Sequence, residues 1–218
     1  MYRIYQIPVM VILLTQIFTM TISGLAHGQE ASGEYDGGCL FLGFNPQTQV
    51  LTGYFECCTG LDERTNKPLF CCMFLLYGKK AGSTYQIKTW YPGDTPAEVI
   101  EGELTFGDFE GPAVHVKLKE RPPGSMAYNF DPVKGNYLTL DESRHWLEIR
   151  MVSAPRAYFH QGPDSRSKKA VYVVRNDVVK VLKKQGNWVL TEFEKEKGKL
   201  TRGWIREDDL FPLHPPKK

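Results

Sequence analysis

The sequence predicts an all-β protein with two β-rich units behind an N-terminal leader. Apolar and polar residues alternate with strand period in three segments, 85–90, 114–119 and 147–152. Glycine and proline interrupt the chain every several residues, and after the leader no helical period lasts longer than two turns. Short strands at regular spacing are typical of barrels and sandwiches. We therefore expect a curled antiparallel sheet or a small barrel in the first unit.

The composition is that of a globular protein. The 218 residues are 42% hydrophobic and 24% charged, which allows a substantial core. The 27 basic and 25 acidic side chains leave a net charge of +2, which does not indicate a nucleic-acid partner. We expect no nucleic-acid binding and, once the leader is removed, no stable membrane span.

Residues 1–28 have the pattern of a secretory signal peptide, expected as a helix. Arg3 supplies a positive start, residues 4–29 contain no charged side chain, and small residues stand at Ala26 and Gly28. We expect cleavage after Gly28, or just after Ala26, and a periplasmic or secreted bacterial protein. The alternative is an uncleaved anchor, because the uncharged run is long enough to span a bilayer.

The charge divides the remaining chain into two units. Residues 29–154 contain 17 acidic and 11 basic side chains, whereas residues 155–218 contain 8 acidic and 15 basic ones. The composition also changes near Pro155, so we expect an antiparallel β domain of unknown function over 29–154 and a second domain over 155–218. Opposite charges are expected to help the two domains dock, although an exposed ion pair contributes only about 0–1 kcal/mol.

Five cysteines follow the leader, and an oxidising compartment favours disulfides among them. In an antiparallel hairpin whose paired residue numbers sum to 129, Cys57 lies opposite Cys72 and Cys58 lies opposite Cys71. Neighbouring strand residues point to opposite faces, so one pair takes the closer site that suits a disulfide. We expect at least one disulfide among these four, with Cys39 as an odd thiol or a competitor. Zinc is disfavoured because adjacent cysteines diverge.

Segment 70–77 is nearly all apolar, which predicts a strand covered on both faces. Turns are predicted at 92–94, 122–124 and 134–136, where proline or glycine stands beside a polar residue.

The second unit predicts five short strands. Gly186 and Asn187 form a tight hairpin turn between two of them. Gly203, directly before Trp204, indicates close backbone packing or a bulge. Asn176 tolerates the left-handed conformation that a turn before the strand 178–182 needs.

In this order, the motifs over about residues 156–211 resemble the bacterial SH3-like (SH3b) domain. They are an early aromatic strand, a long loop, a Val-x-Val strand, a Gly-x-Trp turn, and a closing Gly-Trp-Ile followed by a leucine. The chain has Asn176 and Asp177 where the family usually has Gly-Asp. The resemblance implies a five-stranded SH3-like barrel and a binding module; some members bind peptidoglycan peptides, others bind proteins, and many are spacers.

The resemblance suggests a set of partner-binding residues: Tyr158, His160, Tyr172, Trp188 and Trp204. Core packing is the alternative role, and we favour it for the two tryptophans because a small barrel needs large apolar side chains. Tyr158 and His160 are better suited to surface contact, and loop 161–169 is expected to wall a groove.

Residues 35–152 loosely resemble uncharacterised exported bacterial proteins that end in an SH3-like domain. The shared features lie at 51–54, 70–72, 87–92 and 100–104. This resemblance implies no activity.

No catalytic motif is present: the chain lacks a phosphate loop, a Gly-x-Ser-x-Gly elbow and a His-Glu-x-x-His pair. We expect no enzyme activity, cofactor or metal, and predict a non-catalytic envelope protein that binds wall material or a protein partner. One alternative is an immunity or inhibitor protein that caps a toxin or hydrolase with a rigid acidic loop near Asp62 or Asp108. Another is a wall-active hydrolase with an unrecognised site that includes His145 or Cys39.

Overall fold

The computed structural model describes residues 31–124, 128, 130–195 and 198–217. The expected signal peptide, 1–28, lies outside these residues. The described residues form an all-β structure with two short 3₁₀ turns, Ser165–Ser167 and Glu207–Asp209.

The first eight strands form a closed antiparallel barrel. They are β1 (Ser32–Tyr35), β2 (Leu40–Asn45), β3 (Val50–Asp62), β4 (Lys67–Ala81), β5 (Thr84–Trp90), β6 (Ile100–Asp108), β7 (Pro112–Leu118) and β8 (Asn136–Arg144). Each strand pairs with the next, and β1 pairs with β8 to close the barrel. Of the two forms expected for the first unit, the barrel is confirmed.

Side chains fill the inside of the barrel. Residues that alternate along β5 and β7, such as Ile87 and Val116, are almost fully buried, as their pattern predicts. The Phe55 ring stacks on Phe74 at 5.0 Å between centroids and meets Phe130 edge-on at 5.1 Å. A cluster of aromatic rings therefore fills one part of the barrel core.

The hairpin of β3 and β4 extends beyond the barrel. Strand β2 pairs with β3 only as far as Phe55, and β5 pairs with β4 only from Leu75. Beyond these points the two strands pair with each other alone. Phe70 is 48% exposed and Met73 is exposed. The prediction that strand 70–77 is covered on both faces is therefore confirmed from Phe74 onwards and wrong for the residues before it.

The register of this hairpin is the predicted one, with Cys57 opposite Cys72 and Cys58 opposite Cys71. Two cysteine pairs lie at disulfide distance: Cys58 with Cys71, at 4.0 Å between Cα atoms, and Cys39 with Cys57, at 5.1 Å. Cys39 is thus the competitor for Cys57, which leaves Cys72 as a buried thiol and not a disulfide partner. Burial raises the pKa of Cys72 to about 11.

The remaining strands form a second sheet in the order β11-β10-β14-β13-β12-β9. They are β9 (Glu148–Met151), β10 (Arg156–His160), β11 (Lys168–Val174), β12 (Val178–Gln185), β13 (Trp188–Glu194) and β14 (Leu200–Arg206). The five strands predicted for the second unit are present, and a sixth, β9, comes from before the predicted boundary at Pro155.

Local turn predictions hold in this sheet. Gln185 pairs with Trp188, so Gly186 and Asn187 make a two-residue turn. Asn176 has a φ of 72°, which is the left-handed conformation expected of it.

Strand β9 joins the two units. Its backbone pairs with β12, while Ile149 and Met151 pack against the outer face of the barrel with Tyr54 and Trp90. The Ile149 amide donates a hydrogen bond to Thr52 Oγ1 at 2.8 Å. The junction is thus largely apolar.

A charged network lies beside this apolar junction. The Arg150 guanidinium is buried and pairs with Glu148 at 3.1 Å and Glu207 at 3.2 Å. Lys184 pairs with the same two carboxylates at 3.2 and 2.8 Å. Only one of the four, Glu148, combines burial with two cationic partners, so the removal of either cation leaves it under-compensated.

Candidate functional site

The second sheet has an aliphatic face and an aromatic face. Its core consists of nine buried residues: Val152, Ala157, Phe159, Val173, Val179, Val181, Val189, Ile205 and Leu210. Because side chains alternate along a strand, the neighbours of these residues point to the other face. All five partner-binding residues suggested by the resemblance lie there. Trp204 is buried, as the packing role that we favoured requires, although it lies outside this aliphatic core, and Trp188 is half-buried and also lies outside it.

One aromatic pair lies at the β10–β11 edge of this face. Tyr158 is opposite Tyr172 in the register, and their ring centroids are 5.4 Å apart. Lys168 Nζ lies 3.4 Å from the centre of the Tyr158 ring, and the Arg156 guanidinium lies 5.0 Å from that of Tyr172. Tyr172 is 41% exposed, so this pair is an accessible aromatic surface with cations against its rings.

A second pair lies closer to the middle of the sheet. The His160 and Trp188 rings meet at 4.7 Å in a near-perpendicular arrangement, and the Arg206 guanidinium lies 5.4 Å from the Trp188 ring. His160 is buried, and its Nδ1 atom has no hydrogen-bond partner within the part of the chain that the structure describes. Native proteins pair almost all buried polar atoms, so this nitrogen is a candidate contact for a bound group.

Gly203 brings the two pairs together. A Cβ atom at this position would lie 3.0 Å from the carbonyl oxygen of His160 and 3.0 Å from the Phe159 ring. Glycine therefore allows β14 to approach β10, as the sequence indicated, and places Trp204 opposite His160. Trp204 is only 9% exposed, so most of its ring is hidden from solvent.

Loop 161–169 is compact and adjoins this face. The Gln161 amide donates to the Ser167 carbonyl at 2.9 Å, and the Gly162 amide donates to Ser167 Oγ at 3.1 Å.

Asp209 lies near His160. Burial raises the pKa of Asp209, although the charge of Arg206 opposes this. The face as a whole presents aromatic rings with three cations, an arrangement that suits flat or carbohydrate rings bearing carboxylates.

A groove of about 700 Å³ between the two units is acidic. Five carboxylates line it: Glu34, Glu56, Asp141, Asp177 and Glu194. Sequence reasoning missed its one buried cation, Lys180, whose Nζ lies 4.3 Å from the Phe41 ring centre. Burial lowers the pKa of Lys180, and nearby glutamates only partly oppose this. The signal available was a lysine inside the apolar run 178–182.

The acidic loops predicted for the inhibitor alternative are ordered turns. Asp62 accepts hydrogen bonds from the Thr65 hydroxyl and the Arg64 amide, both at 2.9 Å, and these bonds lower its pKa. Asp108 accepts from the Gly111 amide at 2.8 Å. Asp62 stands at the tip of the projecting hairpin.

The candidate residues of the hydrolase alternative are not brought together as a catalytic group. Cys39 is bonded to Cys57, and Glu148, three residues from His145, is engaged by Arg150. Across the described ranges, no group of three or more His, Cys, Asp or Glu side chains could hold a metal ion.

Comparison of the chain with protein-family models, with curated proteins and with solved structures finds no significant match. The SH3-like assignment of residues 156–211 therefore stays a prediction. Within residues 31–217, as far as they are described, no helix is long and apolar enough to cross a membrane.

Proposed function

We propose that this chain is a non-catalytic exported protein of the bacterial envelope, periplasmic or secreted. In this proposal the aromatic face of the second sheet binds peptidoglycan or a protein partner. The observation that carries the proposal is the gathering of Tyr158, His160, Tyr172, Trp188 and Trp204 on the face opposite the aliphatic core.

The chemistry of this face supports wall material as the ligand. Sugar rings and peptide side chains pack against tyrosine and tryptophan, and Arg156, Lys168 and Arg206 can pair with the carboxylates of wall peptides. The two disulfides support an exported location, because such bonds persist in oxidising compartments.

The test is sedimentation of the oxidised protein with purified peptidoglycan, using Tyr158→Ala and Trp188→Ala. Tyr137→Ala is the matched control, since Tyr137 is an exposed aromatic residue on barrel strand β8. We expect retention to fall at least tenfold in the first two variants and to persist in the control. Retention that is absent in the unmodified protein, or equal in all variants, contradicts wall binding.

A second candidate, the inhibitor or immunity role, is favoured by the hairpin beyond the barrel. The Cys58–Cys71 bridge pins it, and three large apolar residues on it are about half exposed: Leu61, Leu69 and Phe70. A rigid apolar projection with a carboxylate at its tip suits insertion into a cleft on a partner protein.

The experiment for this candidate is capture of a soluble envelope protein on the immobilised chain. We expect Phe70→Ser and Leu61→Ser to abolish a one-to-one complex, and Val133→Ser, which changes an exposed valine elsewhere on the barrel, to preserve it. A complex that survives both hairpin substitutions contradicts this role.

A further inference from the structure

A groove on the barrel contains none of the residues of the aromatic face. Strands β4, β5 and β6 form its floor, and residues 214–217 of the C-terminal tail form one rim. Its volume is about 780 Å³, within the range of small-molecule sites.

The tail is fixed where it enters the groove. The Phe211 amide donates to the Met151 carbonyl at 2.9 Å, and Arg150 Nη2 donates to the Phe211 carbonyl at 2.8 Å. Leu213 packs into the apolar junction between the units. The chain is therefore held in place up to Leu213, directly before the rim, which reduces the ordering cost of binding.

The residues that line the groove are partly apolar and partly charged. Apolar surface comes from Tyr77, Pro96, Ala97, Val99, Ile100 and Pro215. The His214 ring meets the Tyr77 ring at 4.6 Å between centroids. These residues give the groove an apolar surface against which a ring or hydrocarbon chain can pack.

Cations outnumber carboxylates among the lining residues. Four lysines, Lys79, Lys88, Lys119 and Lys217, line the groove with two glutamates, Glu101 and Glu120. Lys88 and Lys119 already share Glu101, at 3.6 and 2.7 Å. Among the described residues, Lys79 and Lys217 have no acidic partner.

The lowered pKa of His214 agrees with an excess of positive charge around the groove. Burial lowers the pKa of His214, and the charges of Lys79, Lys217 and Arg150 lower it further. An additional positive charge is thus disfavoured in the groove, whereas a negative charge would be attracted.

We propose that the groove binds a small amphipathic anion: an organic molecule with an apolar ring or chain and one carboxylate, sulfonate or phosphate group. The apolar body lies against Tyr77 and Val99, and the anionic group lies between Lys79 and Lys217. Neither residue belongs to the aromatic face, so the site stands apart from the proposed wall-binding function.

The test uses two fluorescent probes with the same rings and different charge. They are 1-anilinonaphthalene-8-sulfonate, which is anionic, and N-phenyl-1-naphthylamine, which is neutral. Each is titrated into the oxidised protein, purified from the periplasm of an expression host. The variants are Lys79→Gln, Lys217→Gln and the double variant. Lys183→Gln is the control, because it removes the same charge from an exposed position on the second sheet.

We expect one sulfonate probe per chain, with affinity that falls as salt is added. Each groove substitution should weaken this probe about threefold to tenfold, while the control and the neutral probe change little. Thermal midpoints should match across the variants, since all these lysines are exposed. Unchanged affinity in the double variant, or neutral-probe binding as tight as that of the anion, overturns the proposal.

Discussion

The barrel and the second sheet place their aromatic residues on opposite sides of their strands. The barrel encloses Phe55, Phe74 and Phe130 in its core. The second sheet packs a core of valine, alanine, isoleucine, leucine and Phe159, with Phe193 partly buried against it, and carries its tyrosines and tryptophans on the other face. Large rings therefore stabilise the first unit, whereas in the second unit Tyr158, Tyr172 and Trp188 stay at least partly exposed and can contact other molecules.

The largest expected effect tests the structural role of the barrel aromatics. Phe55→Ala should lower the free energy of unfolding by about 3 to 5 kcal/mol, because it leaves a cavity among packed rings. Urea denaturation measures this change, and Tyr137→Ala, on the outside of the barrel, is the control. A loss below about 1 kcal/mol would mean that the Phe55 cluster can collapse around the cavity.

The next largest effect is expected from the disulfide between Cys39 and Cys57, both of which pack against the barrel core at the base of the hairpin. Cys39→Ser combined with Cys57→Ser should lower the free energy of unfolding by about 3 kcal/mol, since the bridge closes a loop of 18 residues. The matched pair Cys58→Ser with Cys71→Ser should have a smaller effect, because that bridge lies on the projecting hairpin, which can open locally. Equal losses would show that the hairpin unfolds only with the whole barrel.

A smaller change in stability is expected from the aromatic face. Trp188→Ala should lower the free energy of unfolding by about 1 to 2 kcal/mol, because the ring is only half buried. Its effect on ligand retention should be much larger than this loss implies. A loss of stability equal to that of Phe55→Ala would make Trp188 a structural residue and end the contrast between the two units.

The smallest effect concerns acid stability at the junction. Burial opposes ionisation of Glu207, but its bonds to Lys184 and Arg150 outweigh this and lower its pKa. A carboxyl whose pKa is lowered on folding stabilises the fold above its unfolded pKa, and this stabilisation is lost as pH falls through the folded value. We expect the midpoint temperature of thermal unfolding to decrease as the pH is lowered below about 4.5. Glu207→Gln should make this midpoint depend less on pH. If Glu207→Gln leaves the midpoint temperature below about pH 4.5 unchanged, other carboxylates cause the loss of stability in acid.

The hairpin register was predictable because cysteines at two adjacent positions on each strand allow one antiparallel alignment that pairs them. The five strands of the second unit followed from their alternation and turns. Alternation distinguishes two faces but does not show which one is covered, so the side on which Trp188 lies had to come from the structure. Closure of the barrel by β1 and β8 joins segments about a hundred residues apart, and local pattern carries no such information.

Strand β9 links the unfolding of the two units. It covers the edge of β12 with its backbone, while Ile149 and Met151 are buried against the barrel. Heating should therefore give a single heat-absorption peak in a calorimeter, because neither unit can melt without exposing apolar surface of the other. A fragment that begins at residue 155 would leave one edge of β12 unpaired, and this open edge would recruit strands from neighbouring chains.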